Sequence, residues 1–102
     1  PCEKIPVPGT VPQYVESKKV CPSDIDFNHH TNNARYIEWA MDCLDAELVT
    51  KHSVEGFQIS FNAESRLSET VDLFVAETAP LNCYIEGRKG DKNVFQVQIS
   101  FK

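Results

Sequence analysis

One short polar stretch of this chain contains the side-chain types that perform acid–base chemistry. Residues 23–33 (SDIDFNHHTNN) hold two carboxylates, two histidines and three asparagines. Asp26, Asn28 and His30 alternate, so in an extended or turn conformation they can point to the same side. A carboxylate, an amide and an imidazole on one side can activate water or transfer a proton. The competing interpretation is a helix-capping turn, because Asp and Asn hydrogen bond readily to nearby backbone. The density of such residues ahead of a helix favours a site.

The segment in front of this stretch divides into an arm and a strand. Residues 1–13 hold four of the six prolines. Proline fixes the backbone and lacks a donor, so we expect an extended linker or N-terminal arm there, followed by one domain at residues 14–102. Residues 14–21 are predicted to form the first strand. Because the chain begins with Pro1 rather than Met, we expect a fragment or a processed product.

The residues after the polar stretch predict one long amphipathic helix. We expect it to begin at Asn32 or Asn33, either of which can cap it. We expect it to end near Lys51, where a cation suits the helix dipole. Apolar residues recur at steps of three and four and form a stripe predicted to face the core. The members of that stripe are Ala34, Ile37, Met41, Leu44 and Leu48, and it is widened by Tyr36, Trp39, Ala40 and Cys43.

Four strands are predicted to follow in antiparallel succession. Residues 57–64 and 95–101 alternate apolar and polar side chains, residues 71–78 and 81–88 are the other two strands, and residues 88–93 form a hairpin turn. The economical packing is an α+β domain in which one helix is wrapped by a curved five-stranded antiparallel sheet. Such a sheet covers only one side of the helix. We therefore predict a homo-oligomer or a second, similar domain, joined through sheet edges.

Composition and charge exclude several classes of protein. The 102 residues are 41% hydrophobic and 25% charged, as in one globular domain. A net charge of −5 argues against a nucleic-acid partner, and no apolar run is long enough to cross a membrane. We expect no cofactor and no metal. The cysteines lack C-x-x-C spacing, so we expect four free thiols and a reducing, cytoplasmic location: Cys2, Cys21, Cys43 and Cys83.

Residues 24–37 (DIDFNHHTNNARYI), together with this order of elements, resemble the hot-dog fold thioesterases. More narrowly they resemble the acyl–acyl carrier protein thioesterases of plastids and bacteria, which carry a D-x-D-x-N-x-H-x-N-N-x-x-Y-I pattern after a short strand. Members of that family contain two hot-dog domains in tandem. This chain looks like the C-terminal one alone, with the inter-domain linker at residues 1–13.

The resemblance implies hydrolysis of the thioester between a fatty acyl chain and the phosphopantetheine arm of acyl carrier protein, in fatty acid biosynthesis. The family's catalytic carboxylate, amide and imidazole fall on Asp26, Asn28 and His30, and a further acid in the next strand falls on Glu64. Plant members often have a cysteine after this acid, once proposed as the nucleophile. This chain has Ser65 there, which argues against a cysteine nucleophile.

Thioester hydrolysis needs an activated water or a carboxylate nucleophile, and stabilisation of an oxyanion. Asp26 or Glu64 is expected to fill the first role, and His30 to orient a carboxylate or carry a proton. The helix start is expected to help hold the substrate carbonyl. The residues expected to bind substrate are Asn32, Asn33 and Ser65.

Other functions stay open at this point. One is an acyl-CoA thioesterase or a hot-dog dehydratase, and another is a non-enzymatic domain that binds acyl chains or serves assembly. Chain-length preference lies largely in the family's N-terminal domain, so an isolated C-terminal fragment without activity is consistent with the hypothesis. Arg88, Lys89 and Lys92 are expected at a solvated hairpin tip, where they can meet an acidic carrier protein.

Overall fold

Five strands and two helices make up a computed structural model that describes Ile5 and residues 8–102. The elements are β1 (Gln13–Lys19), a 3-10 turn (Pro22–Asp24), α1 (Asn33–Asp42), α2 (Ala46–Lys51), β2 (Val54–Phe61), β3 (Thr70–Ala79), β4 (Asn82–Lys89) and β5 (Lys92–Phe101). Each predicted strand is present within a few residues of its predicted bounds. The predicted arm mostly precedes β1, but residues 1–4, 6 and 7 lie outside the described residues.

The sheet has the order β1-β3-β4-β5-β2, and every neighbouring pair is antiparallel. Hairpins join β3 to β4 and β4 to β5, as predicted. The predicted succession is wrong for β2, which pairs with β5 at the far edge and leaves β3 to pair with β1. The helices cause this arrangement, because they connect strands at opposite edges of the sheet.

The predicted single helix is in fact two. α1 ends at Asp42 and α2 begins at Ala46. Asp45 separates them: its backbone is extended (φ −64°, ψ 130°), and its side chain accepts a hydrogen bond from the Glu47 amide at 3.0 Å. An Asp in this role caps a new helix rather than continuing the old one. The predicted end at Lys51 is confirmed.

The buried face of α1 is centred on the residues that were predicted to widen the apolar stripe, and Met41 of the stripe itself packs against the same core. Tyr36, Trp39 and Ala40 are the buried residues of α1, whereas Ile37 is half-buried and Ala34 is exposed. Tyr36 stacks on Phe95 of β5 with ring centroids 4.9 Å apart. The aromatic side chains take the sheet-facing positions because they bury the most apolar surface.

The two faces of the sheet bury different kinds of residue. The inner face packs apolar side chains such as Leu73, Ile85 and Val97 against α1. The outer face buries polar side chains, among them Glu86 and Gln96, in addition to a small cluster of Ile5, Ala76 and Tyr84. The Ile5 carbonyl accepts a hydrogen bond from Gln96, so one residue of the predicted arm lies on the outer face. The division into arm and domain stays a prediction.

Within the described residues no disulfide links Cys21, Cys43 and Cys83, while the prediction for Cys2 lies outside them. Burial raises the pKa of Cys43 to about 11, with smaller contributions from Glu16 and Asp42. It also raises the pKa of Cys83. In this part of the chain no helix is both long enough and apolar enough to cross a membrane.

Candidate active site

Asp26 organises the polar loop through one carboxylate oxygen. Its Oδ1 accepts hydrogen bonds from the backbone amide of Asn28 at 2.9 Å and the backbone amide of His30 at 3.2 Å. The Asp26 amide donates to the His30 carbonyl at 2.9 Å, and His29 takes a left-handed conformation with φ 63°. This oxygen therefore binds nearby backbone, as the competing interpretation of the stretch as a local turn expects. The same turn places Asn28 and His30 on one cleft.

The second carboxylate of the stretch, Asp24, serves structure. Its Oδ2 accepts from the Cys21 amide at 2.9 Å, and its Oδ1 lies 3.4 Å from Nε of Arg35. Arg35 also donates to the Ser23 carbonyl at 3.2 Å. These bonds tie the 3-10 turn to α1, and so hold the start of the polar loop against the helix.

His30 and Glu64 meet across the cleft. His30 Nδ1 lies 3.3 Å from Glu64 Oε2, and the two side chains are 24% and 64% exposed. The backbone brings them together, because His30 forms an isolated bridge with Arg66 and the Thr31 amide donates to the Ser65 carbonyl at 2.8 Å. Glu64 was expected in the next strand, but it lies beyond the end of β2. Backbone pairing between these two loops therefore brings His30 and Glu64 into contact.

The cleft has a volume of about 350 Å³. It opens at the N-terminus of α1, where Asn32 caps the helix by accepting from the Ala34 amide at 3.0 Å. Amides of a first helical turn point outward and favour negative charge. The cleft residues include every predicted catalytic residue and two predicted substrate-binding residues: Asp26, Asn28, His30, Thr31, Asn32, Asn33, Tyr36, Ala63 and Glu64. The described part of the chain brings together no three His, Cys, Asp or Glu side chains fit to hold a metal.

Ser65, the third predicted substrate-binding residue, lies deeper than the other two. Its side chain is fully buried and does not line the cleft. Ser65 Oγ lies 2.6 Å from Thr31 Oγ1 and 2.7 Å from the Tyr36 hydroxyl. Ser65 is thus placed below the cleft surface, and its predicted substrate-binding role stays a prediction.

Two polar cleft residues, Thr31 and Tyr36, were missed by sequence reasoning, as was Ala63. Tyr36 was predicted to be core, which is correct for its ring, yet its hydroxyl reaches Ser65. The available signal was its type, because a buried tyrosine hydroxyl usually finds a hydrogen-bond partner. Thr31 is nearly buried and its hydroxyl donates to the Ser65 carbonyl at 3.1 Å. No sequence signal distinguished it from a loop residue.

Lys89 holds the loop that carries Glu64. Its Nζ lies 3.1 Å from the Glu64 carbonyl and 3.1 Å from Oε1 of Glu69. The hydrogen bond from the Arg66 amide, and then Lys89, hold the pKa of Glu69 below its usual range. Lys89 is thus engaged in structure, and the prediction that it is solvated is wrong.

The other two cations of the predicted hairpin tip differ from each other. Arg88 pairs with the buried Glu86 and lies over the Phe74 ring at 4.4 Å from its centroid. Arg88 makes these contacts while its side chain stays 37% exposed, and Lys92 is exposed as expected. The outer face also has a cleft of about 500 Å³ beside Tyr84. Burial raises the pKa of Tyr84 to about 12, so its hydroxyl stays protonated near neutral pH.

The fold is an α+β domain in which an antiparallel sheet packs against a helix with buried aromatic residues. A carboxylate–imidazole pair lies near the start of that helix. Residues 12–102 match the family model described as the acyl-ACP thioesterase C-terminal domain. The chain belongs to this family. The resemblance found in the polar stretch is confirmed.

Known proteins with similar sequences or structures agree with this assignment. An acyl-ACP thioesterase from Bacteroides thetaiotaomicron superposes with a TM-score of 0.87 at 29% identity, over 100% of this chain and 43% of that chain. The 12:0-ACP thioesterase from Umbellularia californica has a TM-score of 0.79 at 16% identity, over 99% and 39%, which confirms the hot-dog fold. Oleoyl-acyl carrier protein thioesterase 1, chloroplastic, of Arabidopsis thaliana is 27% identical over 59 residues, 58% of this chain and 16% of that protein. The chain thus spans a minor part of each relative.

Proposed function

We propose that this chain is the catalytic half of an acyl–acyl carrier protein thioesterase, which hydrolyses the acyl thioester to a free fatty acid and the carrier thiol. The observation that supports this most directly is the contact of 3.3 Å between His30 and Glu64, in a cleft shared with Asp26 and Asn28. Family membership supports the reaction class, and a role in fatty acid biosynthesis is part of the proposal.

The contact between His30 and Glu64 suggests how water is activated. If Nδ1 of His30 donates to Glu64, the neutral ring carries its lone pair on Nε2, which can accept a proton from water. The hydroxide attacks the thioester carbon, and the carbonyl oxygen becomes an oxyanion. Asn28 and the amides at the start of α1 stabilise it. When the intermediate collapses, the carbon–sulfur bond breaks and His30 returns the proton to the thiolate. Asp26 lines the same cleft, and its negative charge is proposed to act on the reaction from there.

Acyl carrier protein is the proposed partner, on the strength of the family description and of the relatives' names. The test is release of free thiol from acyl carrier protein thioesters and from the matching CoA thioesters, with the full-length protein that contains this chain. We expect faster turnover on the carrier protein thioester. Faster turnover on CoA would instead indicate an acyl-CoA thioesterase. Water loss from a 3-hydroxyacyl thioester would indicate a dehydratase, and acyl binding without turnover a non-enzymatic domain.

Substitution of the pair tests the residues. General acid–base groups contribute about 10²–10⁴-fold, so His30→Ala and Glu64→Gln are each expected to lower kcat at least about tenfold. His52→Ala is the control, because His52 follows α2 and lies outside the cleft. Near-normal turnover of both cleft variants would contradict the assignment.

We also propose that the β2 edge is covered in the assembled protein, by a second copy or by another hot-dog domain. Phe57 and Phe61 of this edge strand are 44% and 43% exposed, and exposed apolar edges of this kind promote association. Residues 1–102 expressed alone are expected to dimerise or form larger oligomers. Light scattering at micromolar concentration tests this, and a monomer with cooperative unfolding would contradict it.

The cytoplasmic location is likewise a proposal, and it rests on the cysteine spacing. The Arabidopsis relative is named as chloroplastic, so fractionation of the source cells is the test. Recovery of the protein in an organelle would overturn this proposal and leave the reaction unaffected.

A further inference from the structure

Three hydroxyl groups form a continuous hydrogen-bonded cluster at the base of the cleft, which two of the three residues also line. Ser65 Oγ is at its centre, 2.6 Å from Thr31 Oγ1 and 2.7 Å from the Tyr36 hydroxyl. The Ser65 amide also donates to the Tyr36 hydroxyl, at 3.2 Å. All three residues are buried. We call Thr31, Tyr36 and Ser65 the hydroxyl cluster.

Burial of hydroxyls inside a core is unfavourable unless each finds a partner. An apolar alternative such as Val, Phe and Ala would fill similar space without that requirement. The three hydroxyls satisfy one another, and such a connected network has few alternative arrangements. The cluster therefore defines the relative position of the segments that carry it: the polar loop, α1 and the loop after β2.

The cluster is covalently adjacent to the His30–Glu64 pair. Thr31 follows His30 and Ser65 follows Glu64. The pair itself is exposed, since the Glu64 side chain is 64% accessible, and exposed ion pairs do little to hold two segments in register. The buried contacts one residue further along the chain supply that positional order, together with the backbone bonds between the two loops.

We infer that Ser65 is a positioning residue that, with Thr31 and Tyr36, sets the distance between His30 and Glu64. This inference deepens the proposed function and rests on it. Ser65 is not a nucleophile in this arrangement, because its hydroxyl partners are Thr31 and Tyr36 rather than a base, and it does not reach the cleft. The serine hydroxyl thus acts on the reaction through the geometry of its neighbours.

Kinetics of single-hydroxyl variants in the full-length protein test this inference. A misplacement of about 1 Å can lower turnover about 10²-fold. Ser65→Ala and Thr31→Val are therefore expected to lower kcat about 10- to 100-fold, with KM within about threefold. Thr31→Ser keeps the hydroxyl and is expected to retain activity.

Ser60→Ala is the matched control. Ser60 is a buried serine whose hydroxyl donates to Asn62 at 2.8 Å, and it does not line the cleft. Equal kcat for Ser65→Ala and Ser60→Ala, or equal loss in Thr31→Val and Thr31→Ser, would overturn the inference. If Ser65→Ala fails to fold, the two Thr31 variants still decide, because Thr31→Val replaces the hydroxyl by a methyl group and Thr31→Ser keeps the hydroxyl and removes the methyl group.

A readout without turnover separates this inference from the proposed function. In ¹⁵N-histidine-labelled protein, Glu64→Gln is expected to shift the His30 Nδ1 resonance, since the two groups are in contact. The same substitution in a Thr31→Val background is expected to shift it by less than half as much. An equal shift in both backgrounds would refute the positioning role. If the unmodified protein shows no thioester hydrolysis, the proposed function fails and the spectroscopic comparison still decides the positioning.

Discussion

Asp26 has two roles. One carboxylate oxygen accepts hydrogen bonds that stabilise the polar loop, and in the proposed mechanism its negative charge contributes to the reaction. Two substitutions separate these roles. Asp26→Asn keeps a side-chain carbonyl that can accept from the Asn28 and His30 amides, as asparagine does in similar turns. Asp26→Ala removes both the acceptor and the charge. We expect both variants to lose activity, and only the alanine variant to lose the turn.

The magnitudes follow from the exposure of Asp26. A typical intramolecular hydrogen bond contributes about 0.5–1.5 kcal/mol to stability, and Asp26 is exposed, so its two bonds are at the low end. Asp26→Ala is thus expected to lower the free energy of unfolding by about 1 kcal/mol, which corresponds to about 4–8 °C in Tm for a domain of this size. Asp26→Asn is expected to stay within about 2 °C of the unmodified protein. Both should lower kcat at least about tenfold.

The assay pairs thiol release from acyl carrier protein thioester with thermal unfolding followed by circular dichroism. Asp91→Asn is the control, because it makes the same change at an exposed turn between β4 and β5. Near-normal turnover of Asp26→Asn would refute the role of the charge. An equal loss of Tm in the Asn and Ala variants would refute the claim that the two roles are separable.

Two further predictions concern packing and thiol chemistry. Gly87→Ala places a methyl group against the Phe95 ring. Overpacking typically costs about 1–3 kcal/mol, so Tm should fall by at least about 4 °C. Gly9 has open space around it, so Gly9→Ala should leave Tm unchanged. Cys21 is exposed and should react with iodoacetamide in the native protein at pH 8. Burial raises the pKa of Cys43 to about 11, so Cys43 should react mainly as the pH approaches that value. Equal reaction rates of the two cysteines at pH 8, measured by peptide mapping, would contradict this prediction.

Local pattern was sufficient for the strands but not for their order. Alternation of apolar and polar residues reports which face is buried, and it located every strand. It carries no information on which strand pairs with which. The placement of β2 beside β5 depends on the helical crossover, which joins opposite edges. A succession of hairpins is the simplest assumption, and it holds only where the connections are tight turns.

The helix errors have a different cause. Apolar residues cover so wide an arc of residues 34–48 that the period alone does not indicate which part of the arc is buried most deeply. The sheet buries Tyr36 and Trp39 most deeply, and the later residues of the predicted stripe pack against the same core less completely. The break at Asp45 had a visible local signal, because an Asp followed two residues later by Glu47 is typical of a helix start. Continuous apolar periodicity concealed it.

The sequence motif predicts the local part of the candidate site but not the contacts between distant residues. Asp26, Asn28 and His30 are close in sequence, so a turn alone brings them together, and the alternating pattern predicted that side-by-side placement from local geometry. Glu64 is 34 residues away from His30, and only the family resemblance predicted its approach. Backbone pairing of the two loops makes that contact. Ser65, where sequence reasoning expected a substrate contact, adds a buried hydroxyl bond between the same loops. A hydroxyl has the same appearance in a sequence whether it faces a ligand or another hydroxyl. Which of the two it contacts depends on burial, which follows from long-range packing, and so the sequence singled out Ser65 without indicating the buried position that it occupies.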